Sequence, residues 1–112
     1  MSTIDFTGLA QQIQTLLKNH DIYRVSLFGS YAVGTAHSES DIDLLVILDK
    51  KGISKNYKEL LQNKRIISKE LRELRKVIPI DLLVYTKDEW VRLKNSGSSF
   101  IKHIEKESIQ LI

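Results

Sequence analysis

The chain has 112 residues, 42% of them hydrophobic and 28% charged, with a net charge of +3. That length and balance suit one globular domain spanning residues 1–112, with room for one core and little for a second module. The absence of cysteine excludes disulfides, zinc-thiolate sites and thiol catalysis. No apolar run is long enough to span a bilayer, and Met1 to Asp5 shows no signal-peptide pattern, so a cytoplasmic protein with no membrane partner is expected.

Phe6, Leu9, Ala10, Ile13, Leu16 and Leu17 recur at helical spacing, which predicts a helix over residues 6–19. Ile22 to Phe28 alternates loosely and reads as a strand that Gly29-Ser30 breaks. Residues 30–35 are expected to form a short helical turn closed by Gly34. Leu44 to Leu48 is a continuous apolar run, as in a strand buried on both faces. A long helix is predicted over residues 54–76, with Tyr57, Leu60, Leu61, Ile67, Leu71 and Leu74 as its apolar stripe. Pro79 stops that helix, and Ile80 to Tyr85 reads as a third strand.

Thr86-Lys87-Asp88-Glu89 has the pattern of a capping box and opens a short helix. Trp90 and Tyr85 read as core or interface packing. A turn at Ser96-Gly97-Ser98 precedes a further helix from Ser99 to Glu107, and Ile109 to Ile112 reads as a terminal edge strand. The expected fold is α/β, a small mixed sheet flanked by helices.

The charge is unevenly spread. Residues 50–76 hold ten Lys/Arg and three Glu, a net of +7, which leaves −4 for the rest. A solvated helix face accounts for this segment; a nucleotide, a nucleic acid or an acidic partner would also meet it. The three histidines, His20, His37 and His103, have no metal-ligand spacing.

Asp41 and Asp43 head the buried run two positions apart, so on a strand they share a face. Asp81 holds a similar place in Ile80-Asp81-Leu82-Leu83-Val84, and if the strands are neighbours three carboxylates converge. Such a cluster favours protonation or bound cations. Oxygen ligation points to Mg²⁺, with Mn²⁺ as substitute. A turn before a strand explains Asp41 but neither Asp43 nor Asp81.

Gly29-Ser30 after a strand suits close approach of a phosphate, although alone it is also an ordinary turn with a serine N-cap. Both features together are what a metal-bound triphosphate requires.

The segment from Gly29-Ser30 through ten residues to Asp41-Ile42-Asp43 resembles the signature of the DNA polymerase β-like nucleotidyltransferases. It is most similar to the minimal nucleotidyltransferases, small proteins paired with HEPN-domain partners, and the likeness continues through Trp90 and the closing Ser99 to Leu111. The resemblance implies transfer of a nucleoside monophosphate, AMP by preference, from ATP or another NTP to a hydroxyl. It implies Asp41, Asp43 and Asp81 as catalytic ligands of two Mg²⁺ ions, and Gly29 and Ser30 as nucleotide-binding residues. The acceptor would be a HEPN-type protein and this chain its antitoxin enzyme, with nucleic acid not expected as direct substrate. Many relatives carry a basic residue where this chain has Val33, which bears on phosphate or acceptor affinity but not on the three aspartates. The alternatives are a non-catalytic antitoxin that inhibits by complex formation and a transferase acting on a small molecule. The sequence leaves self-association open.

Overall fold

The computed structural model describes residues 6–29, 41–50, 52 and 57–112. Four strands form one mixed sheet in the order β3-β2-β1-β4. They are β1 (Ile22–Phe28), β2 (Ile42–Leu48), β3 (Ile80–Thr86) and β4 (Ile109–Gln110). β1 runs antiparallel to both β2 and β4, and β2 runs parallel to β3. The helices are α1 (Phe6–Leu17), α2 (Tyr57–Glu70), α3 (Arg72–Arg75), α4 (Lys87–Asn95) and α5 (Ser99–Glu107).

The sheet is covered on both sides, which is why β2 is apolar almost throughout. Ile42, Leu44 and Val46 face Leu9, Ile13 and Leu17 of α1 and Ile67 of α2. Leu45 and Ile47 point the other way, into a second cluster with Trp90 of α4 and Ile101 and Ile104 of α5. The period-2 alternation of the strand thus sorts its side chains between two cores. Each fully buried Leu or Ile contributes roughly 1.5–3 kcal/mol.

The predicted helix over residues 54–76 divides into α2 and α3 at Leu71, whose ψ of 7° departs from helical geometry. The stripe also differs in detail. Leu61 is exposed, and Asn63, one turn before Ile67, is buried in its place. The Asn63 side-chain oxygen accepts from Lys50 Nζ at 3.5 Å, which gives that buried amide a partner. Leu71 and Leu74 remain in the core despite the break.

The capping box forms as the sequence suggests. Thr86 Oγ1 accepts from Glu89 N at 3.1 Å, and Glu89 Oε1 accepts from Thr86 N at 2.9 Å. Thr86 is buried and also donates through Oγ1 to the Gly52 carbonyl at 2.7 Å. Trp90 sits in the core with its ring 6.2 Å from that of Tyr85. β4 pairs with the outer edge of β1, and Leu111 N donates to the Val25 carbonyl at 2.7 Å, which closes that edge.

Candidate active site

The carboxylates gather at one end of the sheet because of strand register. Ile42 N donates to the Pro79 carbonyl at 2.9 Å and starts the β2–β3 ladder. From there Asp43 stands directly opposite Asp81. Asp41 lies just before β2, two residues from Asp43. The strand period puts Asp43 on the side of Leu45 and Ile47, so it faces the α4–α5 layer, and Asp81 shares that side with Leu83 and Tyr85.

Burial is the main cause that raises the Asp43 carboxyl above its ordinary pKa, and the charges of Asp81 and then Asp41 raise it further. No ion pair among the described residues reaches any of the three aspartates. Among those residues their negative charge therefore has no cationic partner. Among the described residues no three His, Cys, Asp or Glu side chains close into a metal-holding group. Asp41 and Asp81 are exposed, so their side chains have room to rotate toward Asp43. The donor set is all carboxylate, which fits a hard divalent cation and not a soft one.

Gly29 follows β1 at the same end of the sheet, since Phe28 is the partner of Asp43 in the β1–β2 ladder. Its φ is +73°, the left-handed region where glycine is favoured. A Cβ built there would lie 2.0 Å from Asp43 Oδ2. Glycine is thus required twice, once for the turn and once to leave space for the carboxylate. The sequence pointed to Gly29 through phosphate approach alone; its packing against Asp43 emerges only from the strand register. Ser30, the expected helical turn over residues 30–35, Val33, Gly34 and His37 lie outside the described residues.

An aromatic pair lies beside the carboxylates and was not expected from the sequence. Phe28 meets Phe100 of α5 edge to face, with centroids 6.0 Å apart, and Phe100 is 50% exposed. The spacing of Phe100 in the chain carried no signal for this, because the contact depends on how α5 crosses the sheet. The two remaining described histidines pair elsewhere: His20 Nε2 lies 3.2 Å from Glu70 and His103 Nε2 lies 3.3 Å from Glu107.

A mixed four-stranded sheet with helices on both faces and an aspartate pair at the head of an inner strand is the polymerase β-like nucleotidyltransferase fold. The nucleotidyltransferase domain family matches residues 9–111, and the chain belongs to that family. No curated protein gives a significant sequence match. Among solved structures the chain is similar to a toxin-antitoxin complex with AMP-PNP, at 22% identity and a TM-score of 0.59, covering 92% of this chain and 72% of that one. A mutant of the toxin-antitoxin MntA-HpeT is similar at 20% identity and a TM-score of 0.57, with coverage of 92% and 72%. A putative nucleotidyltransferase from Sulfolobus solfataricus is similar at 17% identity and a TM-score of 0.55, with coverage of 91% and 74%. At these identities the likeness shows the fold. Among the described residues no helix is long and apolar enough to cross a membrane.

Proposed function

We propose that the chain is a divalent-metal-dependent nucleotidyltransferase, one domain over residues 1–112, that moves AMP from ATP to a hydroxyl on a HEPN-type partner protein and so acts as an antitoxin enzyme. The observation that carries this reading is the in-register pair Asp43 and Asp81, with Asp41 beside it and, among the described residues, no ion pair to any of the three. Membership of the nucleotidyltransferase domain family supports the reaction class. Two similar structures are toxin-antitoxin pairs, one of them with AMP-PNP, which supports the choice of adenine nucleotide and protein acceptor.

Asp41 and Asp43 would hold Mg²⁺, with Mn²⁺ as substitute, and Asp81 completes the set. When bound, the metal supplies positive charge for the triphosphate and for the pyrophosphate that leaves. Gly29 would present its backbone N–H to phosphate oxygens, and Ser30 would donate a further hydrogen bond to them. In the transfer the acceptor oxygen bonds to the α-phosphorus, and the bond from that phosphorus to the oxygen bridging the β-phosphate breaks. Asp81 is the residue assigned to draw off the hydroxyl proton, and pyrophosphate carries away the electron pair. Catalysis rests on positioning and charge neutralisation, with no protein nucleophile.

The test is incubation with α-phosphate-labelled ATP, Mg²⁺ and the protein encoded beside this one. Label should appear on that neighbour and disappear with Asp41→Ala and Asp43→Ala. If both variants still protect cells from the neighbour as well as the parent does, inhibition by complex formation replaces the enzymatic reading.

A further inference from the structure

The basic residues of α2 and α3 play no part in the site above. Arg65, Lys69, Arg72, Arg75 and Lys76, with Ser68, line a shallow recess of about 620 Å³. Their spacing (i, i+4, i+7, i+10, i+11) follows one helical face. The opposite face carries Ile67, Leu71 and Leu74 into the core shared with α1. The recess therefore lies on the far side of the sheet from Asp43, which faces α4 and α5.

This stripe lacks the charge pairing of an ordinary solvated helix. Among the described residues only Lys76 of this stripe has an acidic partner, Glu73, at 3.1 Å. Among the described residues no ion pair reaches Arg65, Lys69, Arg72 or Arg75. Arg75 instead donates to Ser68 Oγ. Like charges three and four residues apart, as at Arg65–Lys69 and Lys69–Arg72, oppose helix formation. An anion laid along the stripe would relieve that repulsion.

We propose that this face binds the phosphate backbone of a nucleic-acid duplex. From Arg65 in α2 across the break at Leu71 to Lys76 at the end of α3, the cations span roughly 16 Å at the helical rise. A duplex carries a charge about every 1.7 Å of its axis, so the stripe faces several phosphates rather than one. Among the described residues no aromatic side chain lines the recess, so it offers no stacking platform of the kind a single strand needs. Five of its six lining side chains are cationic, the complement of a polyanion. The contact reads backbone, not sequence. It does not depend on the transferase reading.

The experiment is fluorescence anisotropy of the whole chain against short labelled duplexes of DNA and RNA over a salt series. If the four unpaired cations each meet a phosphate, log K falls with log salt at a slope of about −3 to −4, and affinity drops on the order of 100-fold between about 50 and 200 mM salt. R72Q with R75Q should bring the slope to about −2. The control K94Q with K102Q, on the other face of the sheet, should leave it unchanged, as should Asp43→Asn. Melting curves check that each variant is folded. The proposal is overturned if no duplex binds at the lower salt, if both double variants weaken binding equally, or if polyglutamic acid competes as well as a duplex of equal charge. Comparison of the DNA and RNA arms identifies which duplex geometry the face fits.

Discussion

Replacing Asp43 with Asn should make the protein more stable and inactive. Asp43 and Asp81 are direct neighbours across a parallel strand pair, where strands lie about 4.8 Å apart. Two unit charges ~5 Å apart repel by roughly 1–3 kcal/mol as the effective dielectric falls from 80 toward 20. The partial exposure of Asp43 and the exposure of Asp81 and Asp41 favour the lower part of that range. With Asp41 adding a smaller share, Asn at this position should gain about 1–2 kcal/mol at neutral pH, or about 5–10 °C in melting temperature.

The sign with pH follows from the raised carboxyl of Asp43. Below the unfolded-state pKa the group is protonated in both states, and the variant has no advantage. As pH rises through the raised folded-state pKa, the native protein loses a proton it held more tightly than the unfolded chain did, so the parent loses stability. The gap should open across that window and stay constant above it. Thermal melts of parent and variant from acid to neutral pH, with and without Mg²⁺, measure this. Mg²⁺ should raise the melting temperature of the parent only. If Asp43→Asn is less stable than the parent at neutral pH, the carboxylate is a structural hydrogen-bonding group and the repulsion argument fails.

Gly29→Ala should cost about 1–2 kcal/mol for the left-handed backbone alone, and its Cβ should push the Asp43 carboxylate aside. Its activity loss should therefore exceed its stability loss, as seen by comparing turnover with urea unfolding. Phe100→Ala should leave the fold intact, since the ring is half exposed. It should raise KM for nucleotide or acceptor more than it lowers kcat, because the ring packs on Phe28, the strand partner of Asp43, and is not itself one of the three carboxylates. Thr86→Ala removes both the N-cap acceptor and the donor to Gly52, and should cost about 1–2 kcal/mol in urea unfolding. Arg24→Met breaks the bonds to Ser26, Glu105 and Ser108 that tie β1 to the end of α5. Because Ser26 is fully buried and loses its partner, a cost of about 1–3 kcal/mol is expected.

Much of the fold was legible because local chemistry and tertiary packing agree. The run from Leu44 to Leu48 is uniformly apolar because it is buried on both faces, and the Thr86–Glu89 box caps the helix its pattern announces. Asp43 and Asp81 stood out as carboxylates inside apolar strands, and the register pairs them. The less legible features depend on long-range geometry. The break at Leu71 has no glycine or proline to mark it. Leu61, expected in the apolar stripe, is exposed while Asn63 is buried, because the direction of α2 across the sheet, not hydropathy, decides which side points inward. The contact between Gly29 and Asp43 and the pairing of Phe28 with Phe100 likewise require knowing which strand and which helix lie alongside.

The central claim is that the three aspartates hold a metal on which a nucleotide is bound. Isothermal titration with AMP-PNP, with Mg²⁺ and then with excess chelator, tests it most directly. The parent should bind the nucleotide only when Mg²⁺ is present, and Asp43→Asn should remove that binding while remaining folded. Binding of equal strength in chelator, or in the folded Asp43→Asn protein, would contradict the account.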